Sequence, residues 1–178
     1  MGAVDYYTYH DYVQWKGDWE VIDGEAVAMS PSPMITHQAI AGQFLRVFGN
    51  ELDECEACFA LSGEDWKVDE ATVLRPDVVI ICDEPNEEYL TKAPELIVEI
   101  VSKSSIKKDE KIKFKIYESE KVPYYILVYP NETKAKIYKL IDGKYSKEGD
   151  FFSQDYTFDA LTCKATVSFE SVFRKFRK

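Results

Sequence analysis

The centre of the chain is built from short apolar runs. Val78–Cys82 and residues 96–101 are apolar at almost every position, and two more strands are predicted at Tyr124–Tyr129 and 135–140. Continuous apolar runs of this length are typical of strands covered on both faces of a sheet, because a strand with one solvated face would alternate. The pattern therefore predicts a buried central sheet.

Helices and hairpins are predicted on either side of these strands. Residues 37–52 repeat apolar side chains at helical spacing, and residues 105–120 predict a second helix. Asp23-Gly24 and Asp142-Gly143 each interrupt a strand-like stretch, which is a strong signal of a tight hairpin. The remaining predicted elements are short: a helix within 6–15, strands at 59–61, 66–68 and 164–168, a break at 30–33 and a closing helix at 169–176. We expect an α/β fold with a central mixed sheet flanked by helices and with hairpins at both ends.

One acid interrupts the apolar run at 96–101. Alternate residues of a strand face opposite sides, so Glu99 shares its face with Ile97 and Val101. Both faces of this strand are apolar, and an unpaired charge buried among such residues is very costly. Glu99 is therefore expected to be neutral, paired with a cation or bound to a metal.

A second acid stands at the entry to the neighbouring run. Asp77 follows Pro76 directly and precedes Val78–Cys82. The interval from Asp77 to Glu99 (99 − 77 = 22 positions) is long enough for a strand, a loop and a return strand. If the two strands are neighbours, the two carboxylates can meet at one point on the sheet.

A lysine of the predicted second helix lies on the wrong side for a solvated charge. At about 100° per residue, Lys113 falls within the apolar stripe that contains Ile116 and Tyr117. A lysine on that stripe either extends along the core toward solvent or has a specific partner. The other lysines of the helix lie together away from this stripe and are expected to be solvated: Lys107, Lys108, Lys111 and Lys115.

Composition and charge limit the function classes. With 178 residues, 46% of them hydrophobic, the chain is expected to form a single domain spanning 1–178. A net charge of −10 argues against a protein that coats nucleic acid nonspecifically, although it leaves room for a local basic patch. No apolar run approaches the roughly 18 residues that a membrane span needs, and no signal peptide is visible, so a cytoplasmic protein is expected.

The four cysteines are widely separated. Cys55 and Cys58 form a C-x-x-C pair, but a zinc site would have to gather Cys82 and Cys163 from distant positions. Free thiols in a reducing compartment are the preferred interpretation.

Two carboxylates and a lysine that converge on a sheet suit metal-assisted cleavage of phosphodiesters. Asp77 and Glu99 would hold Mg²⁺ (or Mn²⁺), because Mg²⁺ prefers oxygen ligands. The metal would lower the pKa of a bound water. Lys113 would orient or help to deprotonate that water, or stabilise charge in the transition state.

These residues, taken together, resemble the Uma2 family of restriction-endonuclease-like proteins in the PD-(D/E)xK superfamily. The matching segments are Pro76-Asp77, 93–102, Asp109-x-x-x-Lys113-x-x-x-Tyr117, 123–130, 22–25, 29–31, His37-Gln38 and the tail 161–173. The resemblance covers nearly the whole chain. It implies a restriction-endonuclease-like core, a Mg²⁺-type site and nuclease activity.

The resemblance also implies roles for particular residues. Asp77 and Glu99 match the two acidic positions of the family, while Val101 occupies the position of the (D/E)xK lysine. In this family the lysine is moved to the next helix, where Lys113 is the matching residue. Glu25 matches an acid placed near the site and could complete the metal shell.

The same resemblance points to two further candidate residues, His37 and Lys103. His37 matches a family position, although a histidine at a helix start is more often structural. Lys103 stands in a Ser-Lys-Ser segment where relatives commonly read Ser-Pro-Ser, and its strand parity equals that of Glu99. Lys103 is therefore a rival for the catalytic lysine, but it lies past the end of the strand.

Three functions are open from the sequence. The first is a Mg²⁺-dependent endonuclease acting on nucleic acid, with DNA expected, and able to work as a homodimer. The second is a non-catalytic binding or scaffold protein that retains the fold. The third is a metal-dependent phosphoesterase acting on small phosphates, which the net negative charge would tolerate better.

Overall fold

The structure, a computed structural model, describes residues 5–29 and 34–177 of the chain. The strands within these residues are β1 (Trp19–Ile22), β2 (Glu25–Ala28), β3 (Cys58–Leu61), β4 (Trp66–Asp69), β5 (Thr72–Leu74), β6 (Val78–Cys82), β7 (Leu96–Ile100), β8 (Tyr124–Tyr129), β9 (Lys134–Ile141), β10 (Lys144–Phe151), β11 (Asp155–Phe158) and β12 (Ala165–Ser168). The α-helices are α1 (Tyr9–Tyr12), α2 (Ile35–Glu51), α3 (Phe114–Ser119) and α4 (Phe169–Phe173). A π-helical segment, Lys108–Lys113, leads into α3, and short 3₁₀ turns lie at Pro130–Glu132 and Arg174–Phe176.

A six-stranded mixed sheet forms the centre, in the order β10-β9-β8-β7-β6-β3. Its β7 and β8 run parallel, whereas the other neighbouring strands are antiparallel. The parallel pair is connected through the helical segment that ends in α3, as a parallel connection requires a crossover. The predicted mixed sheet flanked by helices is confirmed.

Both faces of this sheet are covered. On one face, Val98 and Ile80 pack with α2 residues such as Phe44 in a large apolar cluster. On the other face, Ile97 and Tyr125 join a second cluster that reaches the segment carrying α3 and the N-terminal strands. Residues of β7 alternate between the two clusters, so Glu99 lies on the face of the second cluster.

A second sheet of four strands, in the order β2-β1-β5-β4, supplies part of that cover. Its β1–β2 turn is the predicted one: Asp23 and Gly24 have φ of 51° and 81°, the positive values that a tight two-residue hairpin turn needs. Asp142 and Gly143 repeat this geometry, with φ of 51° and 78°, between β9 and β10. The predicted hairpins are therefore confirmed, whereas the short strands β5 and β11 were not predicted.

The cysteines depart from the sequence prediction. Cys55 is bonded to Cys163, and Cys58 is bonded to Cys82, so the expectation of free thiols is wrong. Cys58 and Cys82 are register partners in the adjacent strands β3 and β6, a relationship that their separation of 24 positions does not reveal. The sequence likewise gives no sign that Cys55 and Cys163, which are 108 positions apart, lie next to each other in the fold.

Two further sequence predictions concern the break at 30–33 and the absence of membrane spans. The predicted break at 30–33 lies outside the described residues. Within the described residues, no helix has both the length and the apolar character needed to cross a membrane.

Candidate functional site

The candidate site is centred on a buried carboxylate that contacts a buried ammonium group. Glu99 of β7 is 3% exposed, and its Oε1 accepts a hydrogen bond from Lys113 Nζ at 2.8 Å. The hydroxyl of Tyr117 donates a second hydrogen bond to the same oxygen at 2.6 Å. Both donors come from the helical segment that crosses this face of the sheet, and Lys113 is itself 2% exposed.

A second carboxylate reaches Lys113 from the N-terminal hairpin. Glu20 of β1 is fully buried, and its Oε1 lies 2.7 Å from Lys113 Nζ. Its Oε2 accepts a hydrogen bond from Lys108 Nζ at 2.6 Å, and Oε1 accepts another from the backbone N–H of Arg75 at 3.0 Å. Glu20 and Glu99 therefore share the Lys113 ammonium group, which connects the two sheets.

Asp77 lies beside this cluster, directly before the neighbouring strand β6. The register pairs Val78 with Val98, so the next step along the two antiparallel strands brings Asp77 opposite Glu99. Asp77 Oδ2 accepts a hydrogen bond from the backbone N–H of Ile100 at 2.7 Å, which fixes the carboxylate at the end of β7. His37 Nε2, at the start of α2, lies 3.2 Å from the same oxygen. The Asp77 side chain is 18% exposed, so it is partly open to solvent.

Burial and charge together shift the pKa values of the cluster. Burial raises the pKa of Glu99 to about 8; Lys113 opposes this rise, while the charges of Asp109 and Asp77 add to it. Burial also raises the pKa of Asp109, which is 2% exposed, against the lowering influence of Lys113. For Glu20 burial acts in the same direction, but Lys113 and Lys108 outweigh it and leave the pKa lowered.

The basic groups respond to the same acids. Burial lowers the pKa of Lys113, but Glu99 and Glu20 outweigh it, so the net pKa is raised and the ammonium form is held. Burial likewise lowers the pKa of His37, and its hydrogen bond with Asp77 reverses this to a net rise. Acids outnumber bases here, because Glu20, Glu99, Asp77 and Asp109 surround Lys113 and Lys108.

Comparison with known proteins identifies the family and the fold. A family model described as "Uma2: Putative restriction endonuclease" matches residues 6–161. The chain belongs to the Uma2 family. A crystal structure from Anabaena variabilis, described as a putative nuclease belonging to DUF820, matches 96% of this chain and 99% of its own at a TM-score of 0.77. Its sequence identity is 16%, so this likeness concerns the fold alone. No curated protein matches the chain.

In this Uma2-family chain, Glu99 and Lys113 lie together on one face of the central sheet, and Asp77 lies next to them at the edge of the sheet, where it also contacts His37 of α2. Asp77 directly precedes β6, the strand adjacent to the β7 strand of Glu99, and Lys113 contacts Glu99 directly. Lys103 is exposed in the turn after β7, whereas Lys113 is buried against the acid. Glu25 is exposed on β2, and the hairpin acid that enters the cluster is Glu20.

Sequence reasoning missed Glu20, although a signal was present. In Trp19–Ile22, Glu20 has the strand parity of Ile22, a residue whose apolar side chain is buried. The prediction that Lys108 is simply solvated was also wrong, because it is 19% exposed and paired with Glu20. A π-helix turns through a smaller angle per residue than an α-helix, so a wheel drawn at about 100° displaces the side chains of Lys108–Lys113.

The donor set fits a hard divalent cation. Asp77 and Glu99 offer carboxylate oxygens, the ligands that Mg²⁺ prefers, and the surplus of acids favours an added positive charge. Asp77, Glu99 and Glu25 do not form a group whose ligand oxygens all lie within 4.8 Å of one another. Two protein carboxylates with water in the other positions would suffice, because Mg²⁺ usually keeps several waters.

Proposed function

We propose that the protein is a Mg²⁺-dependent (or Mn²⁺-dependent) endonuclease that hydrolyses phosphodiester bonds of nucleic acid, with DNA as the expected substrate. The observation that carries this proposal is the contact of the buried Lys113 ammonium with Glu99, one strand away from Asp77. A carboxylate whose pKa is shifted by burial and by a specific charge partner, beside a half-buried acid, is typical of catalytic sites. Membership of a family described as "Putative restriction endonuclease" supports the same activity.

Asp77 and Glu99 would hold the metal. The two hydrogen bonds to Glu99 both use Oε1, so Oε2 is the oxygen left to act as a ligand. When bound, the cation would supply a water of lowered pKa and stabilisation of negative charge on the phosphate. Glu25, exposed on the hairpin, would join the metal shell only through a change in the position of β2.

Lys113 would supply the positive charge that faces the reacting phosphate. Its raised pKa keeps it as an ammonium donor, which suits charge stabilisation and the orientation of water more than proton abstraction. Glu20 would position Lys113 by accepting one of its hydrogen bonds. Tyr117 would fix the rotamer of Glu99 through its hydroxyl.

The nucleic-acid partner is supported by the exposed lysines of the same helical segment. Lys107, Lys111 and Lys115 are exposed along the helical stretch that also carries Lys113. In a protein of net charge −10, such a patch offers a local binding surface for phosphates. The proposal includes a homodimer, which would present one active site to each strand of a duplex. It also includes a single domain spanning residues 1–178.

A cytoplasmic location also belongs to this proposal, since it would give access to intracellular nucleic acid. The two disulfides argue against it, because disulfides are rare in reducing compartments. In a reducing compartment the four cysteines would need another way to hold these parts of the fold together, such as a shared metal ion.

Two alternative functions keep specific support. Lys113 is 2% exposed and has both Glu20 and Glu99 as partners, which equally suits a structural ion cluster in a non-catalytic scaffold. The net charge of −10 favours small phosphates over long polyanions, which supports a metal-dependent phosphoesterase.

The test is a cleavage screen with Mg²⁺ and Mn²⁺ on single-stranded, duplex and branched DNA, on RNA and on small phosphodiesters. Asp77→Asn, Glu99→Gln and Lys113→Met keep the size of each side chain while removing its charge, and each is expected to lower the cleavage rate by about 100-fold or more. Lys103→Met, at an exposed lysine in the turn after β7, is the matched control, expected to cleave at nearly the rate of the parent.

The outcomes separate the three functions. Cleavage that survives all three charge-removing changes would refute the site. No cleavage of any substrate, together with no calorimetric binding of Mg²⁺ or Mn²⁺, would favour the scaffold. Turnover confined to small phosphodiesters would favour the phosphoesterase.

A further inference from the structure

Four cysteines from three distant parts of the chain meet in one place. Cys55 lies in the α2–β3 connection, Cys58 begins β3, Cys82 ends β6 and Cys163 lies in the β11–β12 connection. The sulfur atoms of Cys55, Cys58 and Cys163 all lie within 4.8 Å of one another, although Cys58 is bonded to Cys82 rather than to either of them. The two disulfides therefore form a single cluster of four sulfurs.

The composition and spacing of this cluster suit zinc. Structural zinc sites are four-coordinate and commonly built from four cysteines, with two of them in a C-x-x-C arrangement such as Cys55 and Cys58. A Zn–S distance of about 2.3 Å places the sulfurs of a tetrahedron about 3.8 Å apart. The sulfurs of Cys55, Cys58 and Cys163 lie within 4.8 Å of one another, and opening of the disulfides would let the bonded sulfurs separate to the tetrahedral distance. The fourth, Cys82, adjoins Cys58 across the β3–β6 pair.

We propose that the reduced chain binds one Zn²⁺ through Cys55, Cys58, Cys82 and Cys163. A dithiol reductant supplies the two electrons and two protons that open each disulfide, and it becomes a disulfide itself. The resulting four thiols bind Zn²⁺ as thiolates and release four protons. The zinc then joins the same three parts of the chain that the two disulfides join in the oxidised form.

Residues around the cluster are arranged for this role. A carboxylate oxygen of Glu95 lies within 4.8 Å of the Cys58 and Cys82 sulfurs, but the Glu95 oxygens accept hydrogen bonds from the backbone N–H (2.7 Å) and the hydroxyl of Thr162. Glu95 is therefore a positioning residue that holds the connection carrying Cys163. Lys92 Nζ donates to the backbone oxygen of Cys82 at 3.0 Å, which brings a positive charge near a site that would carry a net charge of about −2.

The cluster is separate from the proposed nuclease site. Cys58 and Cys82 belong to the apolar cluster on the α2 face of the central sheet, whereas Glu99 faces the opposite side. The zinc is thus expected to stabilise the fold without taking part in phosphodiester chemistry. Its binding can be tested whether or not the protein is a nuclease.

The test uses the full chain, reduced with a phosphine and supplied with Zn²⁺ or Co²⁺ under anaerobic conditions. We expect about one Zn²⁺ per chain by atomic emission and native mass spectrometry, with all four thiols protected from alkylation until a chelator is added. Co²⁺ should give the sulfur-to-cobalt charge-transfer absorption and the intense visible bands of a tetrahedral thiolate site. A reduced, folded chain that retains no Zn²⁺, or a Co²⁺ spectrum without those bands, would overturn the proposal.

Variants identify the ligands. Cys55→Ser, Cys82→Ser and Cys163→Ser are each expected to weaken zinc binding by more than about 100-fold, beyond the loss typical of outer residues. Glu95→Gln is the matched control and should still bind one Zn²⁺. Loss of zinc in Glu95→Gln but not in Cys82→Ser would overturn the four-cysteine set in favour of three cysteines and a carboxylate. If a cysteine variant does not fold, the cobalt spectrum of the unmodified chain still decides between the outcomes.

Discussion

Glu20 and Lys113 form a buried ion pair that joins the N-terminal hairpin to the helical segment across the central sheet. Lys113 Nζ lies 2.7 Å from Glu20 Oε1 and 2.8 Å from Glu99 Oε1, so one ammonium group is shared by acids from two sheets. Removal of one partner from such a pair leaves an uncompensated charge in the interior. The position of Lys113 therefore depends on a hairpin residue far from it in sequence.

Glu20→Ala is expected to lower the free energy of unfolding by about 3 to 5 kcal/mol, because it leaves the buried Lys113 with one acid and removes the acid partner of Lys108. The measurement is urea denaturation followed by tryptophan fluorescence, with the midpoint and slope compared with those of the unmodified chain. Glu25→Ala, on the same hairpin but exposed, is the matched control and should stay within about 0.5 kcal/mol. Equal losses in the two variants would show that the hairpin, rather than the ion pair, carries the effect.

The raised pKa of Glu99 predicts a dependence of stability on pH. The pKa of Glu99 is about 8 in the folded chain and near its ordinary value of 4.5 when unfolded, so between these values the folded state binds the extra proton. The contribution of Glu99 to stability is therefore full below about pH 4.5 and is lost as pH rises through about 8. Glu99→Gln should remove this loss, which denaturation midpoints between about pH 5 and about pH 9 would reveal. Parallel curves for the two chains would contradict the shift.

The same proton governs the binding of a divalent cation. A carboxylate must be ionised to act as a ligand, so the affinity for Mg²⁺ should increase as pH rises through the pKa of Glu99, about 8. Calorimetric titration at about pH 6.5 and about pH 8.5, in buffers of different ionisation enthalpy, should show weaker binding and greater proton release at the lower pH. Affinity that is equal at both values would mean that Glu99 is not a ligand.

The central part of the fold could be predicted from sequence because its signals are local. The apolar run of β7 identifies the strand, its alternation places Glu99 on one face, and the neighbouring run places Asp77 beside it. Glu20 was missed because its burial depends on the pairing of β1 with β5, a contact between distant segments. The strand parity of Glu20 with Ile22 hints at this burial, but nothing within β1 identifies Lys113 and Lys108 as its partners.

The role of Lys108 and the pairing of the cysteines could not be predicted either, for two different reasons. The helix was predicted at 105–120, but its π-helical part changes which side chains face the sheet, so the role of Lys108 could not be derived from an α-helical wheel. The cysteine pairs depend on a strand register and on a connection 108 positions away. The C-x-x-C pair is visible in the sequence spacing, and only the fold brings Cys82 and Cys163 to it.

The two disulfides should differ in their contribution to stability. The disulfide between Cys55 and Cys163 spans 108 positions, and the one between Cys58 and Cys82 spans 24. In the chain-entropy model the first is expected to contribute about 4 to 5 kcal/mol and the second about 3 kcal/mol. Under oxidising, metal-free conditions, Cys55→Ser with Cys163→Ser should therefore lower the urea midpoint more than Cys58→Ser with Cys82→Ser. The reverse order would indicate that native packing at β3–β6, rather than chain entropy, dominates.

The exposed lysines of the helical segment should control nucleic-acid binding without controlling cleavage chemistry. Lys107, Lys111 and Lys115 are exposed, so their replacement by glutamine removes positive charges that would face phosphates while leaving the buried cluster intact. We expect the triple variant to bind duplex DNA more weakly. Its salt dependence should be shallower by about one unit of log K per log salt for each phosphate that is no longer neutralised. The cleavage rate at saturating DNA should stay near that of the unmodified chain.

Fluorescence anisotropy between about 50 and 200 mM salt, the range in which phosphate neutralisation changes affinity strongly, gives the slope for this triple variant. The matched control is glutamine at Lys144, an exposed lysine on β10 that pairs with Glu118, for which an unchanged slope is expected. A triple variant with the parent slope would remove this helical face from the binding surface, because none of its three charges would then neutralise a phosphate. That result would weaken the case for a nucleic-acid substrate over a small phosphodiester.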